Sequence, residues 1–199
     1  MTLTERSVSD LLAAFRSSEP TPGGGSAAAL AGAVGASLLA MVANLPKPQA
    51  TADEDLAALQ AAGARCTDLA LQLERLVNKD TEAYDLVVGA YRMPKGTDEE
   101  KNARTAGIQA ALKAATEAPL EVMRLCRAAL ALAARVGSLG NQNAASDVKV
   151  AAAMLRAGLD GARENVDINL GSVKDASYVE KVRSESGALA AAVNTAATS

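Results

Sequence analysis

The chain has 199 residues, with 20 basic against 23 acidic side chains and a formal charge of -3, a length that suits one domain with a sizeable core. It holds 46 alanines but only three Tyr, one Phe and no Trp, which favours closely packed helices over a β-sandwich or barrel. The absence of His excludes imidazole catalysis and His–metal sites, and a pI near 5.1 argues against a general nucleic-acid binder.

Any chemistry therefore falls to Asp, Glu, Lys, Ser, Tyr or the backbone. Two cysteines, Cys66 and Cys126, are too few for a zinc cluster or a disulfide framework and read as inert core thiols in a reducing cytosol. Met1 to Arg6 leads into Asp10 and Arg16 with no hydrophobic block, so no export signal is read and a cytoplasmic location is expected.

Ser7-Val8-Ser9-Asp10 has the pattern of a capping box and predicts a short helix through Phe15. Pro20 and Pro22 then keep the chain extended. Gly23-Gly24-Gly25-Ser26 follows, and a second helix is predicted from about Ser26 to Asn44. Its stretch Ala27–Ala43 falls short of the roughly 20 residues that span a bilayer and is rich in Ala and Gly, so a buried central helix is expected, not a membrane span.

Thr51 and Glu54 open a long helix in which Leu56, Leu59, Ala62, Ala70, Leu73, Leu76 and Val77 recur at helical spacing. It runs to Met93-Pro94. Thr97-Asp98-Glu99-Glu100 opens the next, with acidic residues where the macrodipole favours them. Pro119 is expected to kink or divide that helix before Leu120–Val136, and Gly137 and Gly140 mark its end. Ser146-Asp147 caps a further helix to about Leu170, and Ser172 to Asp175 another through Asn194. Met41, Met123 and Met154 read as core gap-fillers. The expected architecture is a single all-α domain over 1–199, a bundle of about five to seven helices around the Ala/Gly-rich one.

Three polar clusters are candidates for function. The glycine run suits either backbone N–H groups aimed at an anion or a tight helix start where any Cβ would clash. Lys79, Asp80, Glu82, Tyr84, Asp85, Tyr91, Arg92 and Lys95 form either a reactive patch or a solvated charged face, with Asp80 and Tyr84 four apart on one side. Gly140-Asn141-Gln142-Asn143 and Ser146-Asp147 suit turn and cap chemistry or a ligand equally well. Asn165 and Asn169, also four apart, suit core amides or a site. Lys149 follows Asp147 by two residues and is expected to face elsewhere.

In combination the clusters are more specific. Thr21-Pro22-Gly23-Gly24-Gly25-Ser26, Asp80-x-x-Ala83-Tyr84, Met93-Pro94-Lys95, Ala115-Thr116-x-x-Pro119-Leu120, Gly140-Asn141, Ser146-Asp147 and Asn165-Val166-x-Ile168-Asn169 occur in that order. Together they resemble the cyclodeaminase/cyclohydrolase family of folate enzymes over essentially the whole chain. Gly89 to Lys95 followed by Thr97 to Lys101 looks most like its stand-alone cyclohydrolase branch.

The resemblance implies an all-helical homodimer that uses a tetrahydrofolate derivative as substrate, with no metal or redox cofactor and no nucleic-acid or membrane partner. The implied reaction is methenyltetrahydrofolate plus water giving formyltetrahydrofolate. Its sister reaction closes formiminotetrahydrofolate with loss of ammonia, and a folate-binding dimer without turnover is the third reading.

Both reactions need proton transfers at a carbon between two nitrogens, which carboxylates and lysines can supply. Asp147 and Asp80 are the candidate bases, with Asp147 preferred. Lys95 or Lys79 is expected to protonate the departing nitrogen or to bind the folate carboxylates. Pro22, Gly23, Gly24, Gly25, Ser26, Tyr84, Asn141, Ser146 and Asn165 are expected to position the substrate. Relatives commonly carry a Thr, a Gly-Lys-Lys run and a Tyr after Asn44-Leu45; here the chain reads Pro46-Lys47-Pro48-Gln49-Ala50, leaving only Lys47 as a nearby cation.

Overall fold

The computed structural model describes residues 2–46 and 52–195; Lys47 to Ala50 and the Thr51 cap lie outside them. Among the described residues there are six α-helices and no strand: α1 (Val8–Phe15), α2 (Gly24–Asn44), α3 (Asp53–Tyr91), α4 (Asp98–Leu139), α5 (Ala145–Leu170) and α6 (Ala176–Thr195). The all-α expectation is met.

Local chemistry explains three of the six helix starts. Ser7 Oγ accepts from the Asp10 backbone N–H at 3.1 Å and caps α1. Thr97 and Glu100 exchange side-chain and backbone bonds in a capping box at α4. Asp175 Oδ1 accepts from the Tyr178 N–H and caps α6. α5 departs from expectation. It is led in by a 3-10 turn, Gln142–Ala144, capped by Asn141, so Ser146 and Asp147 lie inside its first turn.

α2 to α5 form the bundle, each running against its neighbour in the ring. Small residues let them close. A Cβ on Gly32 would lie 2.6 Å from Cys126 Sγ on α4, and one on Gly35 would lie 2.8 Å from the Ala151 carbonyl on α5. A Cβ on Gly158 would lie 2.8 Å from the Ala28 carbonyl. Leu39, Leu69, Leu73, Met123, Leu155 and Leu159 fill the core between these approaches. α6 lies across α4 and α5.

Three expectations change. α4 continues through Pro119 without dividing. The Ala115 carbonyl, which Pro119 cannot bond, accepts from Asn169 Nδ2 on α5 at 2.9 Å, so the helix loses no partner there. α2 is buried on three sides only. Met41 is 41 % exposed instead of filling the core, and Val34 lies beside it at 39 %. Leu56, placed on the α3 core stripe, is 40 % exposed.

α3 and α4 are about 58 and 63 Å long against about 32 Å for α2. They therefore overhang its N-terminal end as a two-helix arm with a small core of Ala90, Ile108 and Leu112. The arm supplies one wall of the site.

Candidate functional site

The glycine run lies where α2 begins, at the base of the arm. A Cβ on Gly25 would lie 2.5 Å from the Asp80 carboxylate carbon, so both readings of the run meet here: the close approach requires glycine, and what approaches is a carboxylate. Asp80 Oδ2 accepts from the Ser26 backbone N–H at 2.9 Å. The buried Ser26 hydroxyl sits between the Val77 carbonyl at 2.9 Å and Asp80 Oδ2 at 3.2 Å. Asp80 thus rests on the positive end of α2. Burial still outweighs these bonds, and its carboxyl is held above the ordinary aspartate value of 3.8.

Beside Asp80 is a cavity of about 280 Å³ between α3, α4, α5 and the Pro20–Gly24 segment. Gly23, Gly24, Asp80, Tyr84 and Asn165 line it, and so do Pro20, Thr21, Ala83, Val87, Leu112, Ala115 and Asn169. Asn165 Nδ2 donates to the Gly161 carbonyl at 2.8 Å and Asn169 Nδ2 to Ala115. Each amide keeps its oxygen for another donor. No Lys or Arg is among the lining residues. The Thr21–Pro22 peptide is cis, and Pro22 is half-buried beside the cavity wall.

The remaining candidates lie elsewhere. Lys79 is exposed on α3 and does not line the cavity. Lys95 is exposed in the loop beyond Tyr91, at the arm's tip, and the Asp80–Tyr91 stretch alone spans about 16 Å.

Asn141, Ser146 and Asp147 lie at the opposite end of the bundle. A Cβ on Gly140 would lie 3.1 Å from Val42 near the end of α2, and Asn141 Nδ2 donates to the Pro46 carbonyl at 2.6 Å. Asp147 and Asn165 share α5 but are separated by 18 residues, about 27 Å. Asp147, the base preferred from sequence, is therefore remote from Asp80 within one chain. The reason is helical geometry: order along the chain says nothing about which end of a bundle a residue occupies.

Asn169, Thr21 and the apolar wall of Val87 and Leu112 were not among the expected site residues. The four-residue spacing of Asn165 and Asn169 was the available signal, since it puts both on one face. Cys66 and Cys126 are free and buried, and burial pushes their thiols up to about 11 and about 12.

A half-buried carboxylate and two side-chain amides line a cavity with no Lys or Arg among its described lining residues, which defines an all-α bundle protein with a polar pocket. The family model described as formiminotransferase-cyclodeaminase matches residues 7–188. The chain belongs to that family. It is 43 % identical over 174 residues to a methenyltetrahydrofolate cyclohydrolase of Methylorubrum extorquens, covering 87 % of this chain and 84 % of that one. It is 33 % identical over 162 residues to the formimidoyltransferase-cyclodeaminase of Rattus norvegicus, 81 % of this chain but 30 % of that protein's length. Among solved structures, formiminotetrahydrofolate cyclodeaminase from Thermotoga maritima superposes with a TM-score of 0.85 at 26 % identity, over 96 % of this chain and 91 % of that one.

Proposed function

We propose that the protein adds water to methenyltetrahydrofolate and opens it to formyltetrahydrofolate. The observation that carries this reading is Asp80, one half-buried carboxylate beside a cavity with no cation in its lining. It occurs in a chain similar over most of its length to a methenyltetrahydrofolate cyclohydrolase. The methenyl bridge is an amidinium cation, and a fixed carboxylate in a poorly solvated pocket attracts it more strongly than water would.

Water forms a bond to the bridge carbon and passes one proton to Asp80. The carbon is then tetrahedral, bonded to two nitrogens and a hydroxyl. One carbon–nitrogen bond breaks, its electron pair leaving with the nitrogen, which takes the hydroxyl proton as the carbonyl forms. Asp80 returns its proton to solvent, so the reaction releases one proton overall. The raised position of Asp80 makes it a stronger base than a solvated aspartate. Asn165 and Asn169 supply acceptors for N–H groups of the pterin, and Tyr84, 41 % exposed, offers a ring at the cavity edge.

Every step is an addition, an elimination or a proton transfer, so the proposal names no cofactor. Two buried free thiols suit a cytoplasmic location, and the family resemblance supports a homodimer acting on a free folate.

Purified protein should accelerate the loss of methenyltetrahydrofolate absorbance well above the spontaneous rate. No acceleration overturns the proposal. The fold shared with the Thermotoga cyclodeaminase favours a second reading, closure of formiminotetrahydrofolate with release of ammonia. Giving the same preparation that substrate and measuring ammonia separates the two. Folate binding without either turnover indicates a binding protein.

A further inference from the structure

A turn beyond the Asp80 cavity, on the same faces of the same helices, lies a second one. It has a volume of about 370 Å³ and is lined by Tyr91 at the end of α3, by Arg104, Thr105 and Gln109 on α4, and by Ser172 and Lys174 after α5. Tyr91 follows Val87 by four residues, Ile108 precedes Leu112 by four, and Ser172 follows Asn169 by three. Each step continues one stripe on its element, so the two cavities lie along one trough.

Their polarity is opposite. The first holds a carboxylate and no Lys or Arg among its described lining residues; the second holds Arg104 and Lys174 and no Asp or Glu. Arg104 is half-buried and fixed. Its Nε and Nη2 donate to the Tyr91 carbonyl at 3.2 and 3.0 Å, and its guanidinium carbon lies 5.7 Å from the centre of the Tyr91 ring. The other guanidinium N–H groups are unpaired among the described residues. Gln109 pins the segment that carries the second cation. Its Oε1 accepts from the Lys174 N–H at 2.7 Å, and its Nε2 donates to the Ser172 carbonyl at 3.2 Å. Neither Arg104 nor Lys174 forms an ion pair among the described residues, and the neighbouring Asp175 is taken by Lys113.

We propose that Arg104 and Lys174 bind the glutamate carboxylates of the folate while Asp80 holds its cationic bridge. This deepens the functional reading above and rests on it. Methenyltetrahydrofolate carries a cation at the bridge and, beyond an aminobenzoyl ring, two carboxylates. In extension the bridge carbon and the nearer carboxylate are roughly 10 Å apart by covalent geometry. Tyr84 to Tyr91 on α3 and Leu112 to Thr105 on α4 each span about 10 Å of helix. The trough therefore matches the substrate in length and in the order of its charges, and Val87, Ile108 and Leu112 between the two ends suit the ring. A reversed substrate would set each charge against its like. Neither Lys79 nor Lys95 lines the trough. Opening the ring removes the charge of the bridge and leaves the tail unchanged, so the tail contacts are equal in substrate and transition state. They act on KM and not on kcat.

Lys174→Glu, at an exposed position, and Arg104→Gln should each raise KM for methenyltetrahydrofolate about tenfold, with kcat within about twofold of wild type. Lys174→Arg should keep the wild-type KM. Arg104 also holds the end of α3 through the Tyr91 carbonyl, so circular dichroism accompanies that variant, and Lys174→Glu carries the test if it unfolds. p-Aminobenzoylglutamate, the tail without the pterin, should bind wild-type protein in an NMR titration and bind Lys174→Glu at least about tenfold more weakly. Inorganic phosphate at equal concentration should not displace it.

An unchanged KM in Lys174→Glu, a loss confined to kcat, or equal binding of aminobenzoylglutamate by wild type and variant overturns the carboxylate site. So does displacement by phosphate, which marks a general anion pocket. Aminobenzoylglutamate binding that depends on Lys174, in a protein without folate turnover, sinks the functional reading and leaves the carboxylate site standing. Turnover with an unchanged KM in Lys174→Glu does the reverse.

Discussion

Asp80 is pulled in two directions, and the outcome sets both its chemistry and its cost. Partial burial favours the neutral acid, while the Ser26 N–H and hydroxyl favour the carboxylate; burial wins. Because the folded state holds this proton more tightly than the unfolded chain, stability falls as pH rises from about 4 through the raised folded value, and stays lower above it. Asp80→Asn removes that penalty and still accepts from the Ser26 N–H. The variant should lose about a hundredfold or more in kcat yet gain stability relative to wild type at pH 7 compared with pH 4, read from urea unfolding at the two values. An equal stability change at both pH values would sink the argument. Ser26→Ala tests the opposing pull. It removes one of the two bonds that favour the carboxylate, so the acidic limb of the kcat/KM profile should move to higher pH, at a stability cost of about 1 kcal/mol. An unmoved limb would mean that Asp80 is not the titrating base. At this scale the sequence was half legible: Asp80 and Tyr84 shared a face as their spacing required, but nothing in the chain's order said that Gly25 would press on that carboxylate.

The elements owe their closeness to glycine at particular crossings. A Cβ on Gly158 would meet the Ala28 carbonyl at 2.8 Å, the Gly32 nitrogen at 3.0 Å and Cys126 Sγ at 3.1 Å. Two of these are backbone atoms that cannot rotate aside. Gly89 in α3 has nothing within 4 Å of such a Cβ. Gly158→Ala should therefore destabilise the protein by about 3 kcal/mol through overpacking, whereas Gly89→Ala should stabilise it by about 1 kcal/mol through helix propensity. Paired thermal melts check the contrast, and a Gly158→Ala protein as stable as wild type would mean that α2 and α5 are less closely seated. Element existence was readable because long apolar periodicities and caps such as Ser7, Thr97 and Asp175 are local. The continuity of α4 was not, because it depends on Asn169, fifty residues after Pro119, meeting the freed Ala115 carbonyl. The open face of α2 was hidden for a related reason: an all-round apolar helix shows no stripe in its residue types, and only its neighbours decide which side stays exposed.

Across the whole molecule, stability is unevenly distributed. α2 is enclosed by α3, α4 and α5, with Ala29, Ala36, Leu39 and Val42 fully buried. α6 buries Val182 and Ser186, packs Tyr178, Val179 and Leu189 partly against the core, and adds polar ties to α4. Arg124 Nε donates to Glu185 at 2.7 Å, Lys113 pairs with Asp175 at 2.7 Å, and the Tyr178 hydroxyl bonds Glu117 at 2.9 Å. The Arg124 guanidinium holds Glu185 below its ordinary value, and Lys113 with Ser177 and the Tyr178 N–H does the same for Asp175. Carboxylates lowered in this way contribute stability that is present above their unfolded values and is lost as pH falls below about 4. Acid therefore acts oppositely at two separate places in the molecule. It relieves the buried charge of Asp80 at the site and loosens the outer helix. Hydrogen exchange, corrected for its intrinsic pH dependence, should show α6 opening before α2 at neutral pH, with the gap widening between pH 5 and pH 3. Glu185→Gln should open α6 at neutral pH and weaken that acid response, since one of the two lowered carboxylates is gone while Asp175 still titrates. Equal protection of α6 and α2 at pH 3 would show instead that the outer helix is seated mainly by its apolar face, including Tyr178, Val179 and Leu189, and that these ion pairs, largely solvated, contribute little.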